Sequence, residues 1–263
     1  MNRENTHATQ DARRETRSNN PWYTDDQFDA QLSSPGTRAR IEWRWHTFER
    51  AITTWRAEGS DATGRLTILD AGCGDGLNLA ALGEIARLAG AEADLYGCDY
   101  NELRIGRART TGFVRGLFLA SLLDVPVSDG AFDIILCSHV LEHIEDDARA
   151  LKELYRSLKP KGLLIVGVPN EGCLLARLRN HVIQPSIRRT TDHVHFFTSA
   201  SLLRRLKTAG FAARGLVREG FFVPHLRLSG LLQSSPAGRA ATNLARVLFP
   251  SQAAGLICFV QRP

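Results

Sequence analysis

LTILDAGCGDG, residues 66–76, is an apolar run of strand character that breaks into three glycines spaced G-x-G-x-G and then enters the helical pattern of 77–89. A strand that feeds a helix through such a loop brings bare backbone to the carboxyl edge of a sheet. Unpaired helix N–H groups and a close backbone approach await a ligand there. The dinucleotide fingerprint G-x-G-x-x-G requires its third glycine at position 77, where Leu77 stands. Asp70, at the end of the strand, would repel a pyrophosphate and attract an ammonium group.

Outward from this stretch, short apolar runs alternate with amphipathic ones. Residues 94–99, 116–120, 132–138 and 162–169 have the character of buried strands, and 77–89, 101–111 and 145–158 that of helices. Strands apolar on both faces and separated by helices predict a parallel sheet wound on both sides, a Rossmann-like α/β fold. Thr198–Lys207 predicts a further helix, with candidate strands at 212–218 and 256–261. Before the sheet, Ile41, Trp45, Phe48, Ile52 and Trp55 recur at the period of one helix face. This helix either packs on the core or supplies an aromatic wall to a pocket. All four tryptophans lie between Trp22 and Trp55. The expected organisation is a disordered tail over 1–20, a helical extension over 21–60 and an α/β domain over 61–263.

The second strand ends in Asp99, where an acid either accepts hydrogen bonds from two ribose hydroxyls or caps the helix that follows. Together with the loop, ribose binding is the stronger reading. Of nucleoside ligands, S-adenosylmethionine has the matching charge pattern: a methionyl ammonium and a sulfonium, and no phosphate. LDAGCGDG, GCDYN, DVPVSDGAFDIILCSHVLEHIED and LKELYRSLKPKGLLIVGVPNE, in that order and spacing, resemble the successive motifs of class I S-adenosylmethionine-dependent methyltransferases. The subgroup is methyltransferase type 11, typified by the ubiquinone and menaquinone biosynthesis enzymes. The resemblance is dense over 66–170 and loose over 192–211. It implies a seven-stranded sheet whose last strand is antiparallel, with S-adenosylmethionine as cofactor. It also implies that Asp70, Gly72, Cys73 and Gly74 line the methionyl end, that Asp99 holds the ribose and that Tyr100 lies against the adenine. Where the family often has an acid for the adenine amine, this chain has Ser121. Ser121, the Leu122 backbone or Asp124 would take that contact.

His139-Val-Leu-Glu142-His143 matches the H-x-x-E-H pattern of one zinc-peptidase group. It follows an apolar strand directly and has no obvious third ligand, so no metal is expected. Ser138 and His139 are expected beside the methyl-transfer zone, and Glu142 and His143 in structural roles. His193 and His195, alternating in an extended stretch, would face one side over the cofactor. With His139 they are the candidate general bases, a packing role being the alternative.

The formal net charge of +5 is unevenly distributed. Residues up to Val168 carry 20 Lys and Arg against 25 acids, and those from Pro169 onward 13 against three, Glu171, Asp192 and Glu219. Two insertions hold much of this basic excess, 171–191 with Arg177, Arg179, Arg188 and Arg189, and 220–252 with Arg227, Arg239 and Arg246. As lids they would suit a small anionic or amphiphilic substrate, or would touch an anionic membrane surface. An RNA substrate is disfavoured because no RNA-binding appendage is recognisable. A catalytically silent cofactor-binding subunit is a third reading. The five cysteines lack CxxC spacing, the N-terminus lacks an apolar leader, and no apolar run reaches the ~18 residues of a membrane span, so a cytoplasmic protein is expected.

Overall fold

The computed structural model describes residues 25–58, 64–112 and 114–263, with the side chains of 111 and 188–190 left undescribed. The expected tail, Trp22, and the side chains of Arg188 and Arg189 lie outside that set.

Seven strands form one sheet in the order β3-β2-β1-β4-β5-β7-β6. They are β1 (Leu66–Ala71), β2 (Ala93–Asp99), β3 (Gly116–Leu119), β4 (Phe132–Ser138), β5 (Leu158–Pro169), β6 (Ala212–Glu219) and β7 (Gly255–Gln261). Strands β1 to β5 pair in parallel, and β7 runs antiparallel between β5 and β6. β1, β4 and β5 are almost wholly buried, which explains their continuous apolar sequences. The apolar run of β5 begins at Gly162, but pairing with β4 starts four residues earlier, at Leu158. The register shifts between Phe132 and Ile134 to absorb the extra residues.

Helices cover both faces. Before the sheet come α1 (Gln27–Ser33) and α2 (Pro35–Ala57); between its first strands come α3 (Leu77–Leu88) and α4 (Glu102–Ala108); α5 (Asp147–Ser157) precedes β5. After β5 follow α6 (Leu174–Leu178), a π turn (Arg179–Ile183), α7 (Pro185–Thr190) and α8 (Ser199–Thr208). Between β6 and β7 lie α9 (Leu226–Ser234) and α10 (Pro236–Leu248). On α2 the periodic Ile41, Phe48, Ile52 and Trp55 are buried. The Trp55 indole donates to the Lys161 carbonyl at 2.8 Å, and Trp45 to Asn78 Oδ1 at 3.2 Å. Both insertions are therefore helical, and the N-terminal extension is packed firmly on the sheet.

Candidate functional site

The glycine loop is tied to the end of β2. The N–H groups of Gly72 and Cys73 both donate to the Cys98 carbonyl, at 2.8 and 2.9 Å, and Gly74 N–H donates to Asp99 Oδ2 at 2.9 Å. These loop amides are spent in holding the loop. The Gly72 position (φ +82°) is unfavourable for any other residue, since a Cβ there would lie 2.3 Å from Val140 Cγ2. Asp99 does not cap α4: Asn101 does so, accepting from Arg104 N–H. Asp99 Oδ1 accepts from Asn101 N–H at 2.9 Å, and each of its oxygens keeps a second lone pair. Burial raises its pKa, against hydrogen bonds that oppose the rise.

Asp70 ends the strand that leads into this loop, 1% exposed, and neither of its oxygens has a hydrogen-bond partner among the described residues. Burial first, and then the neighbouring Asp99, push its pKa up to about 8. An orphaned carboxylate at full burial is costly unless a cation joins it. A ligand ammonium supplies that cation, so these residues fit S-adenosylmethionine.

A cavity of about 630 Å³ opens over the loop. Gly72, Cys73, Ser138, His139 and His193 of the expected site residues line it, whereas Asp70 and Gly74, at the end of β1 and in the loop, and Asp99, Tyr100, Ser121 and Leu122, at the ends of β2 and β3, lie outside the lining. Tyr100 is exposed, Leu122 is buried, and the Ser121 hydroxyl accepts from Leu123 N–H at 3.2 Å. His139 adopts φ +58°, an uncommon conformation for a residue with a side chain. Its N–H donates to the Gly167 carbonyl at 2.8 Å, and its Nδ1 lies 3.3 Å from Glu142 Oε1.

His193 and His195 part company. His193 Nδ1 lies 2.6 Å from Glu171 Oε2, and Glu171 Oε1 accepts from Arg179 at 2.7 Å. Burial alone would lower the His193 pKa, but the contact with Glu171 and the nearby acids raises it overall. The ring of His193 meets that of His143 edge-on, centroids 4.8 Å apart, and His143 Nδ1 lies 3.1 Å from Asp192 Oδ2. His195 is outside the cavity lining: its Nε2 contacts the Glu145 carbonyl at 3.2 Å, and its ring lies beside Phe197.

Glu142, expected to be structural, is fully buried and lines the cavity. The H-x-x-E-H pattern does not form one α-helical turn, because Leu141–His143 is a 3-10 turn. One ligating atom each of Glu142, His143 and His193 lie within 4.8 Å of one another.

The far wall comes from the N-terminal extension, with Gln27, Phe28, Gln31, Arg40, Ile41 and Arg44 facing the cavity. Asp75 anchors it to the loop. Its Oδ2 accepts from Gln27 N–H at 2.7 Å, while its Oδ1 accepts from Arg104, at 2.9 Å. Arg44 donates to Glu219 at 2.8 Å. Arg40 has no ion-pair partner within 4 Å among the described residues; burial and the like charge of Arg44 lower its pKa. No residue of 171–191 or 220–252, and no tryptophan, lines the cavity among the described residues. The cover expected from the basic insertions is thus supplied by α1 and α2. Sequence reasoning missed Glu171, Asp192, Arg40 and Arg44 as site residues. A signal for the acids was present, because the three acids after Val168 are Glu171, Asp192 and Glu219. Each of them pairs with a side chain that faces the cavity.

A family model described as a methyltransferase domain matches residues 11–214. Among curated relatives, a probable S-adenosylmethionine-dependent methyltransferase of Mycolicibacterium smegmatis is 27% identical over 177 residues, 67% of this chain and 62% of that protein. A ubiquinone biosynthesis O-methyltransferase of Thiobacillus denitrificans is 29% identical over 158 residues, 57% of this chain and 66% of its own length. The chain thus matches less than two thirds of either relative. Among solved structures, a Haloferax volcanii chain assigned as a methyltransferase, in complex with the Trm112 methyltransferase activator, superposes with a TM-score of 0.59. That alignment covers 91% of this chain and 99% of the other at 19% identity, a likeness of fold alone.

Proposed function

The chain belongs to the methyltransferase domain family, and on that premise we propose that it is an S-adenosylmethionine-dependent methyltransferase acting on oxygen, nitrogen or carbon of a small anionic or amphiphilic molecule. What carries this reading beyond the family is Asp70, a buried carboxylate with no hydrogen-bond partner among the described residues, at the end of the strand that leads into the glycine loop. A cationic ligand answers that arrangement, and a pyrophosphate does not.

When bound, S-adenosylmethionine supplies an electrophilic methyl group on its sulfonium. Displacement then depends on how the chain holds donor and acceptor. Asp70, with Gly72, Cys73 and Gly74 above it, would take the methionyl end. Asp99 would accept from the ribose hydroxyls through its spare lone pairs, with Tyr100 and the Ser121–Leu122 backbone toward the adenine. Ser138 and His139, at the tip of β4, would border the reacting centre. His193 would take the proton from the acceptor. Glu171 orients its ring through Nδ1, leaving Nε2 as the basic atom, and Arg179 holds Glu171 in turn. Arg40, cationic and without a carboxylate contact, would meet an anionic group of the substrate. The α/β domain of 61–263 would bind the cofactor, and the extension of 21–60 would close the substrate side.

Incubation of the purified protein with methyl-labelled S-adenosylmethionine and fractionated cell extract tests the reading. Label is expected in a small-molecule fraction. Label confined to RNA would overturn the substrate class, and cofactor binding without any transfer would indicate a silent subunit.

A further inference from the structure

The two basic insertions, which do not line the cavity, face outward with an unusual surface. Of the 16 large apolar side chains that are exposed among the described residues, 11 fall within 174–183 and 226–249. They recur at helical spacing: Leu174 with Leu178 on α6, and Leu244 with Val247 and Leu248 on α10. Phe249, just beyond α10, is 57% exposed. The two segments form one surface, joined at both ends. Leu226 N–H donates to Gln184 Oε1 at 3.1 Å, and Leu175 N–H donates to Gln252 Oε1 at 2.9 Å. Exposed apolar side chains concentrated in two segments that touch each other mark a contact face.

Charge identifies what it contacts. Residues 172–191 and 220–252 contain no Asp or Glu. Arg177, Arg227, Arg239 and Arg246 have no ion pair among the described residues, whereas Arg179 of the first insertion is buried and paired with Glu171. Two of the four are held by backbone carbonyls: Arg239 donates to Gln233 O at 2.9 Å and Arg246 to Arg218 O at 3.4 Å. Apolar side chains rimmed by arginines without counter-ions match an interface of hydrocarbon beneath a layer of anionic headgroups. Among the described residues no helix is long and apolar enough to cross a membrane. We propose that α6, α9 and α10 seat this protein on the surface of an anionic lipid bilayer, with the leucines in the acyl boundary and the arginines at the phosphates.

The inference is independent of methyl transfer, and its test keeps the two apart. The full chain is sedimented with unilamellar vesicles of phosphatidylcholine alone, or of phosphatidylcholine and phosphatidylglycerol in equal parts. Binding to the mixed vesicles only, weakened by added salt, is expected. Each arginine near an anionic surface contributes roughly fivefold in partitioning, so R227E/R239E is expected to weaken binding by about 25-fold or more. L244E/L248E is expected to abolish it. In both variants, calorimetric affinity for S-adenosylhomocysteine should equal that of the unaltered protein, which shows that the fold is retained. No sedimentation with either vesicle, or sedimentation indifferent to both double variants, overturns the proposal. So does a stable dimer in sedimentation velocity that L244E/L248E dissociates, since the face would then be covered by a second copy.

Discussion

Asp70 makes the site's charge logic measurable as protons. With its pKa near 8, the ligand-free protein holds a proton on Asp70 at neutral pH. A methionyl ammonium placed against it favours the carboxylate and expels that proton. At pH 6.5, where an α-amino group of pKa ~7.7–8.0 is itself protonated, about one proton per bound ligand is expected to be released. Calorimetric titration of S-adenosylhomocysteine in two buffers of different ionisation enthalpy reads this number directly. In Asp70→Asn the release should vanish, and affinity should fall by roughly 10- to 100-fold, the worth of a charge-assisted hydrogen bond of about 1.5–3 kcal/mol. The unliganded protein carries a second signature. Between pH ~4 and ~8 the folded state keeps a proton that the unfolded chain has lost, so stability falls as pH rises through that window. The slope is at most ~1.4 kcal/mol per pH unit, and Asp70→Asn should flatten it. If the unaltered protein releases no proton at pH 6.5, or Asp70→Asn releases as many, then Asp70 is not the ammonium partner.

Other expectations concern neighbouring groups. Asp99→Ala should weaken binding of S-adenosylhomocysteine by about tenfold or more in calorimetry, through loss of the proposed ribose contacts and of the Gly74 anchor. His193→Ala should lower kcat by about 10²-fold or more with cofactor affinity unchanged, whereas His195→Ala, outside the cavity lining, should leave kcat within a few-fold. A base works unprotonated, so kcat should rise with pH through the raised pKa of His193; Glu171→Gln removes the raising carboxylate and should move that inflection to lower pH. Arg40→Ala should raise KM for an anionic acceptor while kcat holds, as a steady-state profile would show. Gly72→Ala should cost about 1–3 kcal/mol in urea unfolding, since φ +82° and Val140 both oppose a Cβ.

Much of this protein was legible from local pattern. The strands of 66–70, 94–99 and 132–138 correspond to β1, β2 and β4 within a residue at each end, because burial on both faces of a parallel sheet writes itself as uninterrupted apolar sequence. Asp70 and Asp99 were readable for a related reason: a carboxylate that ends a buried strand must be at the sheet's carboxyl edge. The spacing of Ile41, Phe48, Ile52 and Trp55 likewise announced which face of α2 is buried.

Tertiary structure alone decided who surrounds the substrate space. The alternation of His193 and His195 predicted a shared side, yet only His193 reaches the cavity, because Glu171 and Arg179 hold it there. Arg44 meets Glu219 across 175 residues of chain, and Gln27 meets Asp75 across 48. Contacts between segments so far apart arise from how helices cross over the finished sheet, and no periodicity within either segment encodes them. The basic excess after Pro169 is an example. Its position along the chain suggested a lid, but packing leaves Arg177, Arg227, Arg239 and Arg246 outside the cavity lining and places Arg40 and Arg44 of the N-terminal helix over the cavity. Sequence alone determined the sheet and the charge of its carboxyl edge, because both are local. Its covering walls are set by long-range packing, and only the folded chain revealed them.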